Sequence, residues 1–186
     1  MTRGLATVEE YSRAVARTGA AYPGARQEVG VDREEFIRVV EEANPHTVFA
    51  PLGITVANYD PDEMQVAMEI GERHLQHLGV LHGGVSALLA ESAASLAAAM
   101  SVDLRTHTVA GVDLNVTHVR AKRTGSLLAT ARPLFRGRTT QVYAVEVTDE
   151  IGALVCAARC TIAVRPRRSA ERAPREAREP RAGGEA

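Results

Sequence analysis

Gln76-His-Leu-Gly-Val-Leu-His82-Gly83-Gly84 runs without a break into Val85-Ser-Ala-Leu-Leu-Ala-Glu91-Ser-Ala-Ala-Ser95-Leu-Ala-Ala-Ala-Met100, and the reading of this stretch decides the fold. Two glycines let the backbone turn sharply, and strong helix formers free of proline follow, so a helix opens at about Gly83 or Gly84. Val85, Leu88, Leu89, Ser92, Leu96 and Ala99 recur at helical spacing, and most remaining positions are alanine. A helix of this composition has no face suited to water. It must be buried nearly all round, wrapped by a sheet and by another copy of itself. Between Gly83 and Val102 the one charged side chain is Glu91, on the flank of the aliphatic stripe. A lone carboxylate there is costly to desolvate unless it is partnered or serves a reaction.

Upstream, Asp32 and Glu35 form a capping pair ahead of Phe36, Val39, Val40 and Ala43, a short helix that should end before Asn44-Pro45. Strands are expected over 52–59 and 63–70, separated by Asp60-Pro-Asp62. Downstream, strands are expected over 108–119, 126–134, 140–148 and 153–164, punctuated by Lys122-Arg-Thr-Gly125, Arg136-Gly-Arg138 and Asp149-Glu-Ile-Gly152. One helix, two strands, a long buried helix and four strands joined by short turns predict an α+β domain, an antiparallel sheet curled round one central helix.

The 186-residue length suits one domain with extensions, read as an N-terminal extension over 1–30, a folded domain over 31–168 and a disordered Arg/Glu/Ala/Pro tail over 169–186. A hydrophobic share of 45% supplies a core, and a formal charge of −1 gives no general drive toward nucleic acid or anionic membrane. No apolar run is read as a membrane span, since 83–100 is broken by Glu91 and is only weakly hydrophobic. Met1-Thr-Arg-Gly-Leu-Ala lacks the hydrophobic segment of a secretory signal, which places the protein in the cytoplasm. Cys156 and Cys160, four residues apart on one strand, would hold their Cα atoms about 13 Å apart, too far for a bridge. His74, His77 and His82 are close in sequence, but no cysteine or acidic residue completes a compact ligand set, so no metal is expected.

The helix-in-a-sheet pattern, with His82-Gly83-Gly84 and a carboxylate nine residues after the histidine, resembles the hotdog-fold acyl-CoA thioesterases of the phenylacetate-degradation type. Gly111-Val-Asp-Leu-Asn115-Val-Thr-His118-Val-Arg120, 149–156 and 161–167 resemble the branch of the 4-hydroxybenzoyl-CoA and 1,4-dihydroxy-2-naphthoyl-CoA thioesterases. The likeness covers about 52–167.

The resemblance implies hydrolysis of an acyl-CoA, with an aromatic acyl group, in a homo-oligomer whose sites lie at a dimer seam and whose dimers pair into tetramers. Coenzyme A is then part of the substrate, and no separate cofactor is implied. Thioester hydrolysis needs a group that polarises the carbonyl and a group that attacks it or activates water. The exposed N–H groups and dipole of a helix start supply the first. By resemblance the donor is Gly83, aided by Gln76; as plain structure, the glycines allow close packing and Gln76 is a loop amide. Glu91 is the candidate nucleophile or general base, against the alternative of a carboxylate paired across a subunit contact. Ser95, one turn on, either holds a water or the carboxylate or merely packs. Ser86, Ser92, Ser95 and Ser101 lack a nucleophile-elbow motif. His82 either sits beside the acyl carbonyl or hydrogen-bonds backbone, and His118 either lines the acyl pocket or stands by. Arg120, Arg165 and Arg167, with Thr139 and Thr140, fall where the resemblance implies nucleotide and pantetheine contacts, although each arginine alone also reads as solvated surface. Arg138 departs from the small residue of the hydroxybenzoyl branch. A hotdog enoyl-CoA hydratase and a non-catalytic acyl-CoA-binding protein are the competing readings.

Overall fold

The computed structural model describes residues 33–167. Asp32, the 1–30 extension and the 169–186 tail lie outside the described residues. Helix α1 (Arg33–Ala43) stops where Asn44-Pro45 opens a short 3-10 turn, and α2 (Phe49–Leu52) follows. Strands β1 (Ile54–Asn58) and β2 (Met64–Glu69) lead through a loop into α3 (Gly83–Met100). The chain then runs through β3 (His107–His118), β4 (Ser126–Arg136), β5 (Thr140–Asp149) and β6 (Leu154–Pro166). All six strands form one antiparallel sheet in the order β1-β2-β4-β5-β6-β3. This is the expected sheet curled round one long helix.

The first strand begins later than the sequence pattern indicates. Leu52, read as its first residue, ends α2, and Gly53 at φ 61° caps that helix in the left-handed region before the chain extends. The apolar run around Pro51 looks like strand, but the turn is set by the glycine.

The core lies between the sheet and α3. Met64, Val66 and Met68 of β2, Leu127, Ala129 and Ala131 of β4, and Tyr143, Val145 and Val147 of β5 point inward at period two. They meet Leu89, Ala90, Ala93, Ala94, Ala97 and Ala98 of α3. Alanines on that face let the helix approach the sheet closely. At the C-terminal end of α3, Ser101 Oγ stands 3.0 Å from Gln141 Oε1, which accepts from the Tyr143 hydroxyl at 2.7 Å. This buried network ties the helix end to β5.

Within one chain the sheet covers one side of α3 and leaves Leu88, Ser92, Ser95 and Ala99 half-buried and Glu91 exposed, the side for which the sequence calls for a second copy. A single sheet covers only about half of a helix's circumference. By length and composition α3 is also apolar enough to cross a membrane, contrary to the reading of 83–100 as too weakly hydrophobic. Here it is the central helix of the sheet, with Glu91 halfway along it. The two cysteines are free, as their spacing requires.

Candidate active site

The loop before α3 is pinned on several sides. Gly71 N–H donates to His74 Nδ1 at 2.8 Å, so the proton of this buried imidazole sits on Nε2 and reaches Leu52 O at 3.0 Å. His82 N–H donates to His74 O, and Leu81 N–H donates to Lys122 O. Between them, Gln76 N–H donates to Val80 O and Gly79, at φ 71°, closes the turn by donating to Gln76 O. Gln76 folds its side chain back on this turn, where Oε1 accepts from Leu78 N–H. Its NH2 group is the part left to meet a ligand.

His82 is the N-cap of α3. Gly84 N–H donates to His82 Nδ1 at 2.9 Å, which puts the imidazole proton on the exposed Nε2. Val85 N–H donates to His82 O. The Gly83 N–H makes no hydrogen bond among the described residues. It is the unspent donor of this helix start, where the helix dipole favours negative charge. His118, at the end of β3, packs its ring against Gly83: a β-carbon added to Gly83 would lie 2.8 Å from His118 Nε2. His82, Gly83 and His118 therefore share one corner.

Glu91 is elsewhere. Eight residues along α3 carry it about 12 Å from Gly83. Its carboxylate lies against β3 at Gly111, where the pairing with β6 slips by one residue across Val112. No hydrogen bond or ion pair reaches it among the described residues. Its charge is felt by Cys160, whose thiol is pushed up to about 11, first by burial and then by Glu91 and Asp113. Ser95, on the same side of α3 one turn on, is half-buried. The sequence pattern implies a desolvated Glu91; within one chain it is hydrated.

The basic candidates divide in the same way. Arg120 N–H and Val119 N–H both reach Val155 O, at the start of β6. Thr139 O accepts from Val164 N–H, Thr140 pairs with Ala163, and Arg165 pairs with Thr108, all at the far end of β6. Arg167 Nε donates to Leu104 O at 2.6 Å there too. Nine residues of strand separate Cys156, opposite His118, from Arg165, about 30 Å. One corner holds His82, Gly83, His118 and Arg120. The other region holds Thr139, Thr140, Arg165 and Arg167, with Glu91 and Ser95 on the helix between the two ends. Ser86 has no distinguishing sequence motif, yet its hydroxyl lies within hydrogen-bond distance of Gly83 O and His118 Nδ1. The only signal for it would have been the cross-fold approach of β3. Among the described residues, no three His, Cys, Asp or Glu side chains gather as a metal site.

The Thioesterase superfamily profile matches residues 78–156, the segment from the pinned loop to the start of β6. A protein of Listeria monocytogenes named 1,4-dihydroxy-2-naphthoyl-CoA hydrolase is 40% identical over 117 residues, covering 63% of this chain and 94% of that protein. The chain belongs to the thioesterase superfamily. It is a hydrolase with the hotdog fold. A mutant of thioesterase PA1618 from Pseudomonas aeruginosa superposes with a TM-score of 0.68 at 31% identity, over 76% of this thioesterase and 99% of that chain. Two structures of the Staphylococcus aureus protein SAV0944, at TM-scores of 0.63 and 0.62 and 26% and 25% identity, cover 64% of this chain and 99% and 98% of theirs. In those two structures a glutamate and a glutamine, fifteen residues apart, are each replaced by alanine. Gln76 and Glu91 have the same spacing.

Proposed function

We propose that this thioesterase hydrolyses an acyl-CoA, with an aromatic acyl group, to the free acid and coenzyme A. The observation that carries the reading is the unspent Gly83 N–H at the head of α3, with His82 and His118 beside it. In the proposed reaction this amide, with the Gln76 NH2 group, holds the thioester oxygen as negative charge builds on it. Glu91 attacks the carbonyl carbon or takes a proton from the water that does, Ser95 orients that water, and CoA leaves as the thiol. His118 lines the acyl pocket. Arg120, Arg165, Arg167, Thr139 and Thr140 hold the nucleotide and pantetheine arm. The aromatic acyl group rests on the name of the Listeria relative, and Glu91 and Gln76 draw support from the substituted pair in the Staphylococcus protein.

Gly83 and Glu91 of one chain are too far apart to act on one carbonyl, so the reading requires two chains. β3 is an edge strand of twelve residues with a run of exposed positions from Ala110 to Asp113. Such an edge is a template for pairing with a second copy. Antiparallel pairing of β3 with itself about a two-fold axis between Leu114 and Asn115 would set Gly111, under Glu91, opposite the corner of the partner holding its Gly83. Each dimer then has two complete sites, and dimers pair into tetramers. Two free cysteines suit a reducing cytoplasm, where acyl-CoA is found.

The test is a steady-state screen of benzoyl-, hydroxybenzoyl-, phenylacetyl-, naphthoyl- and medium-chain acyl-CoAs with a thiol-reactive dye. Aromatic thioesters should release CoA, and Glu91→Gln should cut turnover by about 10²- to 10⁴-fold while the assembly persists. Hydrated acyl-CoA in place of free thiol, or binding without release, would replace hydrolysis with one of the two competing readings.

A further inference from the structure

Ser86 lies in the first turn of α3 and is 1% exposed. Its Oγ lies 3.0 Å from Gly83 O and 3.3 Å from His118 Nδ1. A hydroxyl has one proton to give and two lone pairs to offer. Gly83 O can only accept, and it is the nearer of the two measured partners, so it takes the Ser86 proton. A Ser86 lone pair then receives the His118 Nδ1–H.

A neutral imidazole with its proton on Nδ1 has a bare Nε2. The Nε2 edge of the ring lies at Gly83, where an added β-carbon would stand 2.8 Å from Nε2, 3.2 Å from Cε1 and 3.3 Å from Cδ2.

We propose that Ser86 is a positioning residue that holds His118 in the Nδ1–H tautomer, presenting the Nε2 lone pair beside the free Gly83 amide. The proposal rests on the reading of this helix start as the grip on the carbonyl. It adds that the corner carries a donor and an acceptor side by side: Gly83 N–H for the carbonyl oxygen, and His118 Nε2 for a neighbouring O–H, from water or from the acyl group. Removing the Ser86 hydroxyl frees Nδ1 and lets the proton move to Nε2, the tautomer that histidine favours in water. The acceptor then becomes a donor.

Long-range proton–nitrogen NMR correlation on the full chain labelled with ¹⁵N-histidine, at about pH 8, above the usual histidine pKa, reads the tautomer without substrate. The His118 signals are those lost in His118→Gln. The expected pattern is Nδ1–H in the wild type and mainly Nε2–H in Ser86→Ala. On a substrate found in the acyl-CoA screen, Ser86→Ala should lower kcat about tenfold with KM held within about twofold. A wild-type Nε2–H pattern, or an Nδ1–H pattern unchanged in Ser86→Ala, overturns the proposal. The wild-type spectrum decides alone if the variant does not fold. An acyl-CoA screen without turnover, beside an intact Nδ1–H pattern, would refute the hydrolase site and leave the Ser86–His118 relationship standing.

Discussion

The Glu91 carboxylate rests on Gly111: a β-carbon at Gly111 would overlap Oε1 outright and stand 3.5 Å from Cδ. A helix residue leans on a strand exactly where that strand has no side chain. The slip in the β3–β6 pairing across Val112 occurs at the same place. Gly111→Ala should therefore move the carboxylate while leaving the backbone intact. Alanine is better tolerated than glycine in a strand, so Tm should hold or rise. Because small misplacements of a catalytic group cost up to about 10²-fold, acyl-CoA turnover should fall by one to two orders of magnitude. Unchanged kinetics in a folded variant would show that the seat does not matter.

His82 separates a structural from a chemical role. Its Nδ1 caps Gly84 N–H, and loss of such a cap costs about 1 kcal/mol, or about 2–4 °C in Tm for a chain of this size. His82→Ala should show that loss in a thermal melt, and His82→Asn, whose side chain also caps, should recover most of it. Turnover should stay reduced in both, because neither restores the exposed Nε2–H.

The buried thiols predict an alkaline limb. Cys156 and Cys160 are raised from the ordinary 9.0 to about 11, chiefly by burial. The folded chain thus retains protons that the unfolded chain gives up above pH 9. Stability is full below that point and falls as pH rises toward 11, by at most about 1.4 kcal/mol per pH unit for each thiol. Denaturant melts at stepped pH should show the decline, and Cys156→Ala with Cys160→Ala should flatten it. At pH 8 neither thiol should react with a disulfide reagent until the protein unfolds.

The β3 edge predicts the mass of the particle. Val112 is 61% exposed in the middle of the unpaired strand. On the proposed register Val112 faces Thr117 of the partner subunit, so Val112→Glu forces an unpaired carboxylate into the seam. Light scattering should then fall from a multiple of 19.9 kDa to the single-chain value, with loss of turnover in the same fractions.

Much of this architecture is written locally. His82-Gly83-Gly84 marks the helix start because capping and turning are nearest-neighbour effects, and the period-two alternation of β5 is the direct imprint of one buried face. The short helix α2 escaped because Phe49 to Leu52 is an apolar run whose turn depends on the positive φ of Gly53. The exposure of Glu91 within one chain accords with the small, apolar surround that asks for a second copy as well as a sheet to cover the helix. Ser86 carried no signal beyond the lack of an elbow motif because His118 is brought to it only when β3 closes over the helix.

The 12 Å that α3 puts between its first amide and its carboxylate also has a kinetic consequence. On the proposed arrangement a newly made, unassociated polypeptide is chemically silent, and far below the dissociation constant the hydrolytic capacity of a solution rises with the square of protein concentration. Two inactive variants, one altered at Gly83 and the other at Glu91, would regain working centres when mixed, since each hybrid particle reunites one intact grip with one intact carboxylate.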